Sequence, residues 1–270
     1  MKVAEVGGLR TRYWVAGTGQ PLVLVHGLGG AAVNFTSLAP LLARRRRVLV
    51  PDLPGHGGTE ALPEGGGLTE IAGHVAAVAA HEHMVPTAVV GYSMGGLVAL
   101  RLSLARPELV SALVLVASAG IVSTTRRAEL WLGAVSTLRP ARVAARFRHT
   151  IARRPILRLP VFGYWGTDDP KFLPPEAVIG FLAAQSEHTD VSAASRALLG
   201  DDPRPELERI ACPTIVVWGA RDHLIPLEDG FEYARRLGCP LRVLPAVGHL
   251  VIGEQPAELA AIVEEFLASA

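Results

Sequence analysis

In the run AVVGYSMGGLVAL, Gly91, Ser93 and Gly95 stand two residues apart. An apolar strand-like stretch leads in and a helix-forming stretch leads out, so Ser93 falls on a sharp strand-to-helix turn with small neighbours on either side. A hydroxyl held there is a candidate nucleophile. It is a weak one at neutral pH, and acyl chemistry therefore demands an imidazole within hydrogen-bond reach and a carboxylate to orient that imidazole.

Nine histidines are available, of which His149, His188, His223 and His249 follow the serine. His249 lies in PAVGHL, just after the last expected strand, with Gly248 beside it to bend the loop. A parallel sheet delivers such a loop to the same edge as the serine turn. His149, His188 and His223 are expected as solvated residues. Other chemistries find less support. Asp52 and His56 share the loop DLPGHGGTE without further ligands, no GKS or GKT follows a glycine-rich loop, and His81 and His83 sit two apart on an expected helix. Cys212 and Cys239 match no zinc spacing. They are expected as free thiols, although each precedes one of two strands that should be neighbours, which leaves a disulfide geometrically open. The expectation is chemistry without a metal or an organic cofactor.

These groups need a scaffold that brings distant loops to one rim. VAEV and LRTRYWVAG read as a hairpin about Gly7 and Gly8, followed by the apolar runs PLVLVHG, RVLVPD, TAVVGYS, ALVLVASA, PTIVVWG and LRVLPA. Helices are predicted over about Phe35 to Arg46, Leu68 to His83, Met94 onward, Leu227 to Leu237 and Pro256 to Ala268. Strands that alternate with helices need crossover connections, and these give a mostly parallel sheet covered on both faces. The alternation stops between Ile121 and Pro205, where amphipathic stretches are broken by Pro140, Pro155, Pro160, Pro170, Pro174 and Pro175. Residues 121–205 are read as an inserted helical cap, with 1–120 and 206–270 as the core.

Composition agrees with a packed enzyme-like fold. Half of the 270 residues are hydrophobic, and a formal net charge of +1 supplies no global field toward nucleic acid or an anionic membrane. A small molecule is the expected partner; oligomeric state is left open. The first ten residues carry no signal-peptide pattern and no apolar stretch reaches spanning length, which predicts a cytoplasmic protein.

Taken together, HGLGG, DLPGHG, GYSMGG, WGARDHLIP and VGHL resemble the α/β-hydrolase family over essentially the whole chain outside 121–205. The resemblance implies a mostly parallel eight-stranded sheet flanked by helices, with the inserted cap. It also implies the chain order serine, acid, histidine, which assigns Ser93, Asp222 and His249 to a catalytic triad. The stretch after the preceding strand, SAGIVSTTRR, offers no carboxylate to compete with Asp222; an ion pair with Arg221 or a helix cap is the structural alternative. The backbone N–H groups of Leu28 and Met94 take the oxyanion-hole role, and His26 braces the HGLGG loop. Gly58 and Thr59 stand where the common family form has a basic residue and then serine, a departure that touches loop geometry.

The implied activity is hydrolysis of small carboxylic esters through an acyl-enzyme on Ser93, with water as the second substrate. Carbon-carbon bond hydrolysis of ring-opened aromatic products shares the cap, the serine motif and the triad. Thioesterase, lactonase and perhydrolase activities also fall within the resemblance, and a receptor that binds without turnover is the alternative from another class. The dehalogenase and epoxide hydrolase branches carry aspartate where Ser93 stands. In the cap, Arg126, Arg127, Arg139, Arg142, Arg146, Arg148, Arg153, Arg154 and Arg158 face Glu129 alone between 126 and 158. Such a run reads as a solvated helix face, with an anionic substrate or carrier as the functional option. Trp131, Leu138, Phe147, Phe162, Tyr164, Trp165 and Phe181 read as cap packing or as the lining of an apolar acyl pocket.

Overall fold

The structure, a computed structural model, describes residues 1–63, 66–121, 140–188 and 190–270. Arg126, Arg127, Glu129, Trp131, Leu138 and Arg139 lie outside the described residues, as do the side chains of Arg142, Tyr164 and Trp165.

The first hairpin joins β1 (Lys2–Val6) to β2 (Leu9–Ala16). The glycines at its turn have φ of 58° and 79°, a conformation that side chains resist. The remaining strands are β3 (Pro21–Val25), β4 (Arg47–Pro51), β5 (Thr87–Tyr92), β6 (Val110–Val116), β7 (Thr214–Gly219) and β8 (Leu241–Leu244). They form one sheet in the order β1-β2-β4-β3-β5-β6-β7-β8, parallel from β4 to β8. Every residue of β5 and β7 is buried, as expected of strands covered on both faces. The helices α1 (Leu68–His81), α2 (Met94–Ala105), α3 (Pro175–Ala184), α4 (Leu227–Leu237) and α5 (Pro256–Ser269) connect or flank the strands. This is the eight-stranded, mostly parallel α/β architecture expected from the sequence.

One predicted helix is much shorter than expected. Between Phe35 and Arg46 the chain makes a 3-10 turn (Ala32–Phe35) and a single α turn (Ala39–Leu42). Four consecutive arginines follow, and like charges at turn spacing oppose helix propagation. The carbonyls of Ala43, Arg45 and Arg46 instead lie against Gly17 and Gly19, where any side chain would collide.

Strand order locates the working edge. From β3 the chain moves to one side to form β4 and then crosses to the other side to form β5. The carboxyl ends of β3 and β5 therefore diverge at a switch point, where an open α/β sheet leaves a crevice for ligands.

Between β6 and β7 the described residues contain helices and turns and no strand. Ile151, Ala152, Leu173, Ala177, Val178 and Leu182 make a small apolar cluster of their own there. The segment is tied to core loops by Asn34 Nδ2 donating to Gly180 O (3.3 Å) and Asp190 N to Gly55 O (3.0 Å). Arg158 corrects the expectation of a solvated arginine face: it is buried, and its guanidinium donates to the carbonyls of Ala152, Lys171 and Leu173. Arg146, Arg153 and Arg154 are exposed. Cys212 and Cys239 are free thiols, and burial raises the pKa of both. Among the described residues no helix is long and apolar enough to cross a membrane.

Candidate active site

Ser93 lies between β5 and α2, at the N-cap of the helix, with φ 54° and ψ −122°. A non-glycine residue held there costs about 1–3 kcal/mol, so the surroundings must over-determine it. They do so through main chain. Ser93 N donates to Val116 O (3.0 Å), while Ser93 O accepts from Gly96 N (2.9 Å) and Ala119 N (3.0 Å). The flanking glycines are required by contact: a Cβ on Gly91 would lie 2.5 Å from Gly95 O, and one on Gly95 would lie 2.2 Å from Val25 O.

His249 reaches this turn from the loop after β8. Its Nε2 is 3.1 Å from Ser93 Oγ, and its Nδ1 is 2.8 Å from Asp222 Oδ2. A carboxylate only accepts, so Nδ1 carries the hydrogen, and Nε2 is left with a lone pair for the serine hydroxyl. Both His249 and Asp222 are buried. Asp222 is fixed in turn by Leu224 N (2.9 Å) and Ile225 N (2.8 Å), which donate to Oδ1. Trp218 Nε1 anchors that turn through Ile225 O (3.1 Å). The Tyr92 ring stands 5.3 Å from the imidazole, and burial raises its phenol well above the usual range. Three side chains far apart in sequence thus meet in one hydrogen-bonded line able to pass a proton from hydroxyl to imidazole.

The loop after β3 runs beside the serine. A Cβ on Gly27 would lie 2.9 Å from Ser93 Cβ, so only glycine allows this approach. His26 braces the loop: Nδ1–H donates to Gly27 O (2.8 Å), and Nε2 accepts from Leu53 N (3.0 Å). Burial lowers its imidazole to about 3, which keeps it neutral and out of proton transfer at physiological pH. Leu28 follows Gly27 on this loop, and Met94 is the first residue of α2. Asp52 joins the loops after β3 and β4, accepting from Ala32 N (2.7 Å), Gly58 N (2.9 Å) and Arg12 Nε (2.5 Å).

Arg12 accounts for the departure at Gly58. A Cβ on Gly58 would lie 2.8 Å from Arg12 Nε, so the space above the loop is filled by a guanidinium that comes from β2. His188, expected in solvent, instead packs its ring 5.5 Å from that of His56 and accepts from Gly57 N (3.4 Å).

Residues that the sequence reading missed come from the β6–β7 segment and from the turn after His249. Gln185 Nε2 donates to Gly29 O (2.9 Å) on the loop after β3. Glu254 accepts from Gly248 N (3.0 and 3.1 Å) and Asp168 N (3.0 Å), and burial pushes its carboxyl up to about 7. The signal for Glu254 was a lone acid closing the apolar run LVIGE just after the histidine. No group of three or more His, Cys, Asp or Glu among the described residues is arranged to hold a metal ion.

A profile of the alpha/beta hydrolase family matches residues 22–262. The chain belongs to that family. This hydrolase is 33% identical over 257 residues to the dihydrolipoyllysine-residue acetyltransferase component of an acetoin cleaving system from Pseudomonas putida, covering 92% of this chain and 64% of that one. The chain thus spans somewhat less than two thirds of that relative. It is also 33% identical over 225 residues to a pimeloyl-[acyl-carrier protein] methyl ester esterase from Chromobacterium violaceum, covering 82% and 83% of the two chains. Among solved structures, a serine hydrolase involved in carbazole degradation superposes with a TM-score of 0.73 at 26% identity, covering 100% of this chain and 98% of the other.

Proposed function

We propose that this hydrolase cleaves small carboxylic esters through an acyl-enzyme on Ser93, with His249 as general base and Asp222 as the acid that orients it. The observation that carries the reading is His249, bonded at 3.1 Å to the serine hydroxyl and at 2.8 Å to a buried carboxylate. In attack, Ser93 Oγ bonds to the carbonyl carbon while its proton passes to Nε2. The resulting imidazolium, steadied by Asp222, gives that proton to the leaving alcohol as the ester C–O bond breaks. Water then repeats the sequence and frees the acid. The backbone N–H groups of Leu28 and Met94 serve as oxyanion donors, each worth about 3–4 kcal/mol by mutational loss. Residues 121–205 act as a cap over the crevice. The bond that Gly180 O accepts from Asn34 and the bond that Gln185 donates to Gly29 O, both joining this segment to the turns that follow β3, support this reading.

The test is labelling by a fluorophosphonate probe and turnover of a short-chain aryl ester panel, beside Ser93→Ala. The expected result is fast labelling and turnover, both abolished in the variant with fold retained. Binding of ligands without labelling or turnover would replace the esterase with a receptor. A second reading, carbon-carbon bond hydrolysis of ring-opened aromatic products, draws on the likeness to the carbazole-degradation hydrolase. A dienoate ketone in the same panel separates the two, because only that activity consumes it in preference to every ester.

A further inference from the structure

His249 stands between two residues whose main chains both engage residues 166–168 of the proposed cap. On one side, Leu250 N donates to Gly166 O at 2.9 Å. On the other, Gly248 N donates to both carboxylate oxygens of Glu254, at 3.0 and 3.1 Å. Glu254 Oε2 accepts a further bond from Asp168 N at 3.0 Å. Gly248 itself lies flat against the cap, since a Cβ there would come within 2.6 Å of Thr167 Cα. Glu254 closes the helical turn Val251–Glu254, which Leu250 separates from His249, and takes no part in the proton path.

We propose that Glu254 is a positioning residue whose carboxylate fastens the 166–168 strip of the cap to the loop carrying His249, making cap seating and imidazole placement a single event. The inference rests on the reading of His249 as base. Its chemistry follows from acceptor capacity. An ionised carboxylate offers two oxygens that only accept, and here they take the N–H groups of Gly248 and Asp168 together. Protonation places a hydrogen on one oxygen and sets donor against donor.

Burial pushes this carboxyl up to about 7, against the pull of the two backbone donors. The groups that face it are Asp168 from the cap, whose charge raises it, and His249 from its own loop, which lowers it. From the end of β5 comes Tyr92, which also feels Asp222. Around neutrality both forms are therefore populated, and the fastening tightens as pH rises.

The test uses the full chain and a fluorophosphonate probe, so that no knowledge of the natural substrate is needed. Labelling rates are followed from about pH 5.5 to 8.5 for wild type and Glu254→Gln. Wild type should lose rate as pH falls through about 7, where Glu254 takes up its proton. Glu254→Gln should lack that step and show a plateau about tenfold lower, with half-saturating probe concentration unchanged. Hydrogen exchange on wild type alone gives an independent reading: after correction for intrinsic rates, amides of 166–168 and 248–250 should gain protection together as pH rises through 7. An identical profile and plateau in Glu254→Gln, or protection that changes in one segment without the other, overturns the proposal. If wild type is not labelled at all, the assignment of Ser93 fails, and the exchange measurement still decides whether the two segments are fastened by Glu254.

Discussion

The serine corner and the histidine corner of this site are built by different means. Around Ser93 the backbone is held by backbone: Gly27, Gly91 and Gly95 allow main chains to touch, and carbonyls from β3 and β6 close the space. Around His249 the loop is held by side chains and by a neighbouring segment, through Asp222, Glu254 and Gly166. The first corner has no adjustable part, because any displacement of a close-packed main chain meets repulsion at once. The second contains a titratable group and a segment outside the sheet, so its geometry responds to conditions. In the proposed mechanism, a fixed nucleophile and an adjustable base would divide the labour between pre-organisation and control.

The largest break is expected at the acid. Asp222→Asn keeps the shape but turns the Nδ1 partner into one that can favour the wrong tautomer, and ester turnover should fall about 10⁴-fold with KM little changed. Steady-state kinetics on a soluble aryl ester check this. Gly95→Ala attacks the serine corner instead. Its Cβ would lie 2.2 Å from Val25 O and 2.6 Å from His26 O, both main-chain atoms. A loss of about 3 kcal/mol is expected, seen as a lower denaturant midpoint with a much smaller loss of activity per folded molecule.

A subtler effect separates the corners by pH. Glu254 ionises near 7 in the folded protein, above the ordinary 4.5, so the folded state holds that proton more tightly than the unfolded chain. Its contribution to stability is full below 4.5 and is lost as pH rises through 7. Wild type should therefore lose up to about 3 kcal/mol across that window relative to Glu254→Gln, measured by urea titration at several pH values. The ionised form that best fastens the cap is thus the form that costs folding stability. The smallest effect is expected from Gln185→Ala, which removes one donor to Gly29 O. Stability should change by less than about 1 kcal/mol and kcat/KM by a few-fold, since the freed carbonyl can turn to water.

The contrast also explains what could be read from sequence. The strand runs, the Gly-x-Ser-x-Gly turn and the loop position of His249 are local patterns, and the sheet, the elbow and the histidine's place were legible from them. Asp222 needed a family resemblance, since nothing local separates it from a carboxylate capping a turn. Arg12, Gln185 and Glu254 were not legible: their partners are Asp52, Gly29 and Gly248 with Asp168, and only the folded chain brings these together. His188 shows the same limit, because a histidine in a helical insertion carries no mark of the ring it will meet. The expected helix to Arg46 stops short because the like charges of the arginine run oppose it and because the carbonyls there pack on Gly17 and Gly19.

Arg12 gives the opening hairpin a reach beyond its own strands. Its guanidinium touches Asp52 on one side and Glu187 on the other, both at 2.5 Å. A chain cut to begin at Pro21 would keep Ser93, Asp222 and His249, yet take the guanidinium partner from buried Asp52 and from Glu187 in the segment between β6 and β7. Shortening the amino end would thus act on the loop that carries Asp52, forty residues from Arg12 in sequence.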